Sequence, residues 1–234
     1  MEAVLDEPTT TPATPLQIHR RDATAPQLHS GDRMRQPEFH RIYAELPDVQ
    51  AELVGGRVFV ASPVSELHAT EDSVMSTWVG TYAARVPQLK SVNNCTFIAS
   101  LDDEVQPDCA LIVREGGLSR TNEKHIREGV GELFVEVSYS SASYDLYEKF
   151  EAYRREGVRE YVVAEIKEAR VRWFVLRDGD YAELEPEDGV LKSTQFPGLW
   201  LKAEAAANED AASVLDTLAA GMATPEFAAF VAGP

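Results

Sequence analysis

Three things are scarce in this sequence, and each scarcity excludes a class of protein. Cysteine is the first, with Cys95 and Cys109 alone among 234 residues. Two thiols cannot make the disulfide framework of a small secreted scaffold, and nothing pairs them with histidine at zinc-ligand spacing. They read as small apolar fillers in strands. Positive charge is the second: 22 Lys and Arg stand against 39 Asp and Glu, a formal net charge of −17. A protein that coats nucleic acid needs a basic face to displace counterions, so any nucleic-acid function must live in a local site. Long apolar runs are the third, and none approaches the roughly 18–20 residues of a membrane span. The opening stretch, MEAVLDEPTTTPATP, has neither the basic nor the apolar region of a secretory signal. The expectation is a protein of the reducing cytoplasm with no membrane partner. Glycine-rich phosphate loops and internal repeats are also lacking.

What is present can build a core. The hydrophobic share is 44%, and the length suits one domain with tails. Residues 1–35 are rich in Thr, Pro, Ala and Gln without an apolar period, and read as a flexible tail. A folded domain is expected over 36–202 and a helical extension over 203–234. The pattern predicts a helix over 37–46, then two apolar-rich runs, 51–54 and 57–61, split by Gly55-Gly56 as a hairpin. Ser65 is placed to cap a helix to about 86, with Leu67, Val74, Met75, Trp78 and Tyr82 on one stripe. Strands are expected over 95–99, 105–113, 133–138, 160–166, 171–176 and 181–184, with one more short strand within 189–201. Helices are expected over 143–156, 209–220 and 225–231. This order gives an α/β (α+β) domain with a mixed sheet.

Three features carry chemistry. The run Leu133-Phe134-Val135-Glu136-Val137-Ser138 has one charge in an apolar strand. Alternation puts Phe134, Glu136 and Ser138 on one face, and both faces are apolar enough for a covered strand. A carboxylate there must be paired or bind a metal, because burying it alone is costly; a salt-bridged structural Glu meets that demand equally. In Gln106-Pro107-Asp108, Pro107 lacks a ladder donor, so pairing is interrupted just before Asp108. Such a break aims a side chain at a site or makes an ordinary turn. On the helix after the Glu136 strand, Lys149 falls on the stripe with Leu146, Phe150 and Tyr153. It either snorkels to the rim or brings a cation beside the two carboxylates. Together, two carboxylates and a lysine suit a hard divalent cation and water activation near a phosphodiester.

The segments Ala51-Glu52-Leu53-Val54-Gly55-Gly56, Gln106-Pro107-Asp108, Phe134-Val135-Glu136-Val137-Ser138, and Lys149 through Gly157-Val158-Arg159-Glu160-Tyr161 resemble the Uma-type restriction endonuclease family of the PD-(D/E)XK nuclease superfamily. The resemblance spans about 39–200. It implies a restriction-endonuclease-like core, a mixed central sheet flanked by helices, and Mg²⁺-dependent hydrolysis of DNA, with Mn²⁺ as a substitute cation. By position, Asp108 and Glu136 match the acidic metal ligands. The third position of the D/E-X-K element is Ser138, and in the Uma-type pattern the lysine comes from the following helix, where Lys149 fits. Glu52 matches a recurrent glutamate, and its alternative is an ion pair on the hairpin. His68 and Ser138 are further candidates, and Glu71 a weaker one for an additional carboxylate.

Three functional readings remain open on the sequence. The first is a metal-dependent endodeoxyribonuclease, the second an inactive nuclease fold kept for binding or scaffolding, and the third a nuclease or hydrolase acting on RNA or a smaller phosphoester. A homodimer suits double-strand cutting, and the Ala/Phe-rich stretch 225–231 suits either its interface or docking within the chain. Basic residues gather at Arg114, Arg120, Lys124 and Arg127 and again at Arg154, Arg155 and Arg159. They would form a phosphate-contacting band only if they rim the site.

Overall fold

The computed structural model describes residues 27–138 and 145–233. The expected tail lies outside these residues over 1–26, while Leu28 is buried and residues 28–34 pack along the first hairpin. Helix α1 (Gln36–Tyr43) precedes the hairpin of β1 (Ala51–Val54) and β2 (Arg57–Val60). Gly55 and Gly56 both take positive φ, 57° and 73°, which a tight two-residue hairpin turn requires. Helix α2 (Glu66–Ala83) starts on Ser65, whose Oγ accepts the His68 amide at 3.3 Å. Six short strands follow: β3 (Leu89–Asn93), β4 (Phe97–Ile98), β5 (Glu104–Val105), β6 (Cys109–Val113), β7 (Ser119–Thr121) and β8 (Arg127–Gly129). Strand β9 (Leu133–Ser138), a π-helical turn (Asp145–Lys149) and α3 (Phe150–Glu156) then lead to β10 (Glu160–Glu165), β11 (Arg170–Arg177) and β12 (Asp180–Glu183). The chain ends with the hairpin of β13 (Val190–Lys192) and β14 (Trp200–Lys202), then α4 (Ala203–Ala207), α5 (Ala211–Met222) and α6 (Pro225–Ala232).

The architecture is α/β with mixed sheets flanked by helices. The main sheet runs β12-β11-β10-β9-β6-β3, with β9 and β10 parallel and the other pairs antiparallel. A second sheet, β2-β1-β5-β4-β8-β7, lies beside it. Every residue of β9 is buried. Its Leu133, Val135 and Val137 pack in one cluster with Met75, Trp78 and Val79 of α2 and with Val214 and Leu218 of α5. Phe134 packs in a second cluster with Ala152 and Tyr153 of α3 and Tyr161 of β10. Each large apolar side chain so buried contributes roughly 1.5–3 kcal/mol. This two-sided covering is what leaves Glu136 as a charge inside the fold.

Several expectations need correction. Leu67 is 47% exposed and off the packed stripe of α2. The long strand over 105–113 is two, β5 and β6, because Pro107 cannot donate to a ladder. Strands β3, β7 and β8 were not expected: their half-exposed sequences, such as Ser119-Arg120-Thr121, lack the apolar signal of a central strand. Residues 143–144 of the expected helix lie outside the described residues, and 145–149 form a π turn rather than regular helix. The 225–231 stretch docks within the chain: the Phe227 ring stands 5.8 Å from Tyr82, and the Gln88 side chain donates to the Val231 carbonyl. Cys109 is buried and Cys95 half-buried, both as free thiols. Among the described residues no single helix is long and apolar enough to cross a membrane.

Glu71 on α2 is 2% exposed, and its Oε1 has no hydrogen-bond partner among the described residues. Burial first, and the Glu209 charge second, push its carboxyl up to about 7 from 4.5. Between those values the folded state holds more protons than the unfolded one, so stability must fall as pH rises through the window. Glu71→Gln is expected to flatten that slope and to stabilise the protein above the window by about 2–3 kcal/mol. Urea denaturation across the window measures it, and an unchanged slope would contradict the assignment.

Candidate active site

Pro107 ends one strand and leaves Asp108 at the point where β6 takes up its pairing with β9. Cys109 faces Val135 in that ladder, so Asp108 arrives beside Glu136 and Val137. Its Oδ2 accepts the Val137 amide at 2.7 Å, which fixes the carboxylate against the strand. Its Oδ1 lies 3.7 Å from Nε2 of His68, in the first turns of α2.

Glu136 stands next to it. Its Oε1 accepts from Lys149 Nζ at 2.9 Å and from the Tyr153 hydroxyl at 2.7 Å. Lys149 also reaches Glu52 Oε2 at 2.9 Å, so one ammonium bridges two carboxylates. The Lys149 and Glu136 side chains are 4% and 5% exposed. The lysine comes from the last residue of the π turn, and Tyr153 follows one turn later on α3. Glu52, on β1, is itself held by the Gln106 amide on its Oε1 at 2.7 Å. The hairpin, the Pro107 break, β9 and the π turn thus meet at one point. A cleft of about 370 Å³ opens there, lined among others by Glu52, His68, Asp108, Glu136 and Lys149.

Two neighbours of this group were not foreseen. Tyr153 was read from its spacing as apolar core, yet its hydroxyl ends on Glu136. Burial, and then the Glu136 charge, hold that phenol well above its ordinary range, so it donates as a neutral group. The available signal was a hydroxyl four residues after Lys149 on the same stripe. Asp72 lies one turn beyond His68 on α2. Burial, then the Asp108 charge, raise its carboxyl, and Ser76 donates to it at 3.0 Å. His68, Asp72 and Ser76 recur every four residues and so share one face of the helix, and that spacing was legible.

Other candidates lie elsewhere. Ser138 is fully buried, its Oγ has no hydrogen-bond partner among the described residues, and it is not part of the cleft lining. Glu71 is close to Glu209 rather than to the cleft. The first basic cluster also stands apart. Arg120 and Arg127 belong to β7 and β8, and β8 is three strand steps from β1, about 14 Å at 4.8 Å per step. Arg155 is tied to Asp103 at 2.6 Å, and Arg154 to Glu151 and Asp180.

The donor set suits a hard cation. Asp108 and Glu136 offer carboxylate oxygens into one cleft whose lining carries three carboxylates against one lysine. Among the described residues no trio of His, Cys, Asp or Glu forms a closed cage, but Mg²⁺ commonly takes one or two carboxylates and completes its shell with water and phosphate.

Comparison with known proteins gives a consistent picture. The sequence profile of the Uma2 family, described as "Putative restriction endonuclease", matches residues 36–204. No curated protein matches. Among solved structures, "a putative nuclease belonging to DUF820" from Anabaena variabilis superposes with a TM-score of 0.53 at 11% identity, over 66% of this chain and 88% of the other. At that identity the likeness is one of fold.

Proposed function

Since the chain belongs to the Uma2 family, described as "Putative restriction endonuclease", we propose that it is an endonuclease hydrolysing DNA phosphodiester bonds in the cleft between the β1–β2 hairpin and β9. The observation that carries this reading is the convergence of Asp108, Glu136, Lys149 and Glu52 on one cleft. In it, Asp108 and Glu136 are the residues that would hold Mg²⁺ or Mn²⁺. When bound, the cation would acidify water, neutralise charge on the phosphate and turn an acidic cleft into one a polyanion can enter.

The remaining steps belong to the chain's own groups. The Val137 amide locks Asp108 in position. The Tyr153 hydroxyl fixes one oxygen of Glu136. Lys149, steadied by Glu52 at 2.9 Å, would stabilise the charge that develops on a phosphate bound in the cleft. The test is cation-dependent cleavage. Purified protein should cut DNA with Mg²⁺ or Mn²⁺ and stop on chelation, and RNA in parallel reads the substrate choice. The rival reading, a nuclease fold kept for binding, draws on the same bridge: a buried Glu–Lys–Glu set is a coherent structural unit without any reaction. No cleavage of any DNA form by clean, folded, cation-loaded protein would favour it.

His68 acts on this reading through Asp108. A residue that orients a metal ligand typically matters about 10–100-fold in metal affinity. His68→Ala is therefore expected to raise the Mg²⁺ concentration needed for half-maximal cleavage by about that factor, with less effect on the rate at saturating cation. Cation titration of the cleavage rate separates the two, and an unmoved midpoint would remove His68 from the site.

A further inference from the structure

The cleft has two kinds of surface. Its floor is carboxylate and ammonium, whereas the wall from β2 towards α2 leaves Ala61, Pro63 and Val64 exposed, with Ser62 and Ser65 among them. Val64 is 61% exposed, and Leu67, in the same turn as the cleft-lining Ser65 and His68, is 47% exposed. Hydrophobic side chains left open beside a charged floor give a molecule bound there an apolar surface to pack on. The floor is also recessed: Glu52 and Asp108 side chains are 15% and 16% exposed, and Lys149 and Glu136 far less.

These features choose between forms of DNA. A duplex is stiff with its bases stacked inside, so it must be bent or kinked, at an energetic cost, before it can lower one phosphate into a recess or offer a base to an apolar wall. Gripping it without base contacts requires several phosphate-neutralising cations. Among the described residues lining the cleft, the basic side chains are Lys149 and His68, and the Arg120–Arg127 hairpin stands at the far edge of the second sheet. A single strand behaves oppositely. It bends, it lowers one phosphate at a time, and each exposed base has a face that packs on an apolar surface regardless of sequence.

We propose that the cleft takes single-stranded or locally unpaired DNA, with a phosphate at the carboxylate–lysine floor and a base against the exposed Ala61–Val64 wall. The inference rests on the nuclease reading above and narrows its substrate. One strand needs one reaction centre, so no symmetric pair of chains is required.

A labelled mixed-sequence oligodeoxynucleotide and its blunt duplex test it, titrated against the full chain by fluorescence anisotropy in Ca²⁺ and assayed for cleavage in Mg²⁺ and Mn²⁺. The single strand is expected to bind and to be cut about tenfold better. Val64→Gln should lose several-fold of single-strand binding with an unchanged melting temperature. Leu101→Gln, a similarly exposed site (58%) outside the cleft lining, should lose none. Equal or stronger binding and cleavage of the duplex would overturn the inference and leave the nuclease reading standing. Single-strand binding without cleavage of either form would support the strand site and sink the nuclease reading. Binding of neither form would overturn both.

Discussion

Asp108→Asn and Glu136→Gln are each expected to lower cation-dependent DNA cleavage by about 10³-fold or more, with the fold intact. Both replacements remove charge and keep shape. Asparagine retains an oxygen for the Val137 amide, which now holds Asp108 at 2.7 Å. Glutamine retains an acceptor for the Tyr153 hydroxyl and the Lys149 ammonium on Glu136. What disappears is the pair of negative oxygens that a hard cation prefers, so cation binding should fall with the rate. Single-turnover cleavage, calorimetric titration with Mn²⁺ and thermal melting read the three quantities separately. Cleavage that survives in both variants would remove these carboxylates from the reaction. Loss of cleavage with a collapsed melting temperature would show a structural role instead, which is why the isosteric changes are chosen over alanine.

Much of this arrangement was legible because it depends on short-range rules. Alternation alone set Glu136 on the Phe134 face of β9, and that face is the one that packs with Tyr153 of α3. A proline without an N–H explained why Asp108 stands at a break in the strand. Gly55-Gly56 gave the hairpin that carries Glu52. What was not legible depends on pairing at a distance. Beyond that hairpin the second sheet is assembled from strands of two or three residues, and in the half-exposed β7 and β8 no local pattern distinguishes strand from loop. A helical wheel placed Lys149 near the sheet by assuming a regular helix, but the turn is π-helical, and its wider winding delivers the lysine. The basic clusters illustrate the same limit: sequence showed that arginines gather, but strand order decides that Arg120 and Arg127 stand away from the cleft. The net charge of −17 remains compatible with a nuclease because part of it, Asp108, Glu136 and Glu52, lies in the cleft where a cation would reverse its sign.

Lys149→Met is expected to be the most destabilising single change in the site. The ammonium lies 2.9 Å from both Glu52 Oε2 and Glu136 Oε1, in a side chain 4% exposed. Methionine fills similar space, but it leaves two carboxylates facing one another in a poorly solvated pocket without the cation between them. Removing one member of a buried ion set typically costs about 3–5 kcal/mol, because the remaining charge is stranded. At about 2–4 °C per kcal/mol for a domain of this size, the melting temperature should drop by roughly 10 °C. Neutralising all three members, with Glu52→Gln and Glu136→Gln added to Lys149→Met, should recover most of that loss, since the repulsion goes with the charges. Cleavage should not recover, because the triple variant has neither the ammonium nor Glu136 as a cation ligand. Lys149→Arg distinguishes charge from geometry: it preserves the positive charge, but a planar fork does not reproduce a point charge between two carboxylates. It should therefore retain more stability than methionine and still lose most of the rate. A cost below about 1 kcal/mol for Lys149→Met, the value of an exposed surface pair, would mean that the bridge is not the buried unit its geometry implies.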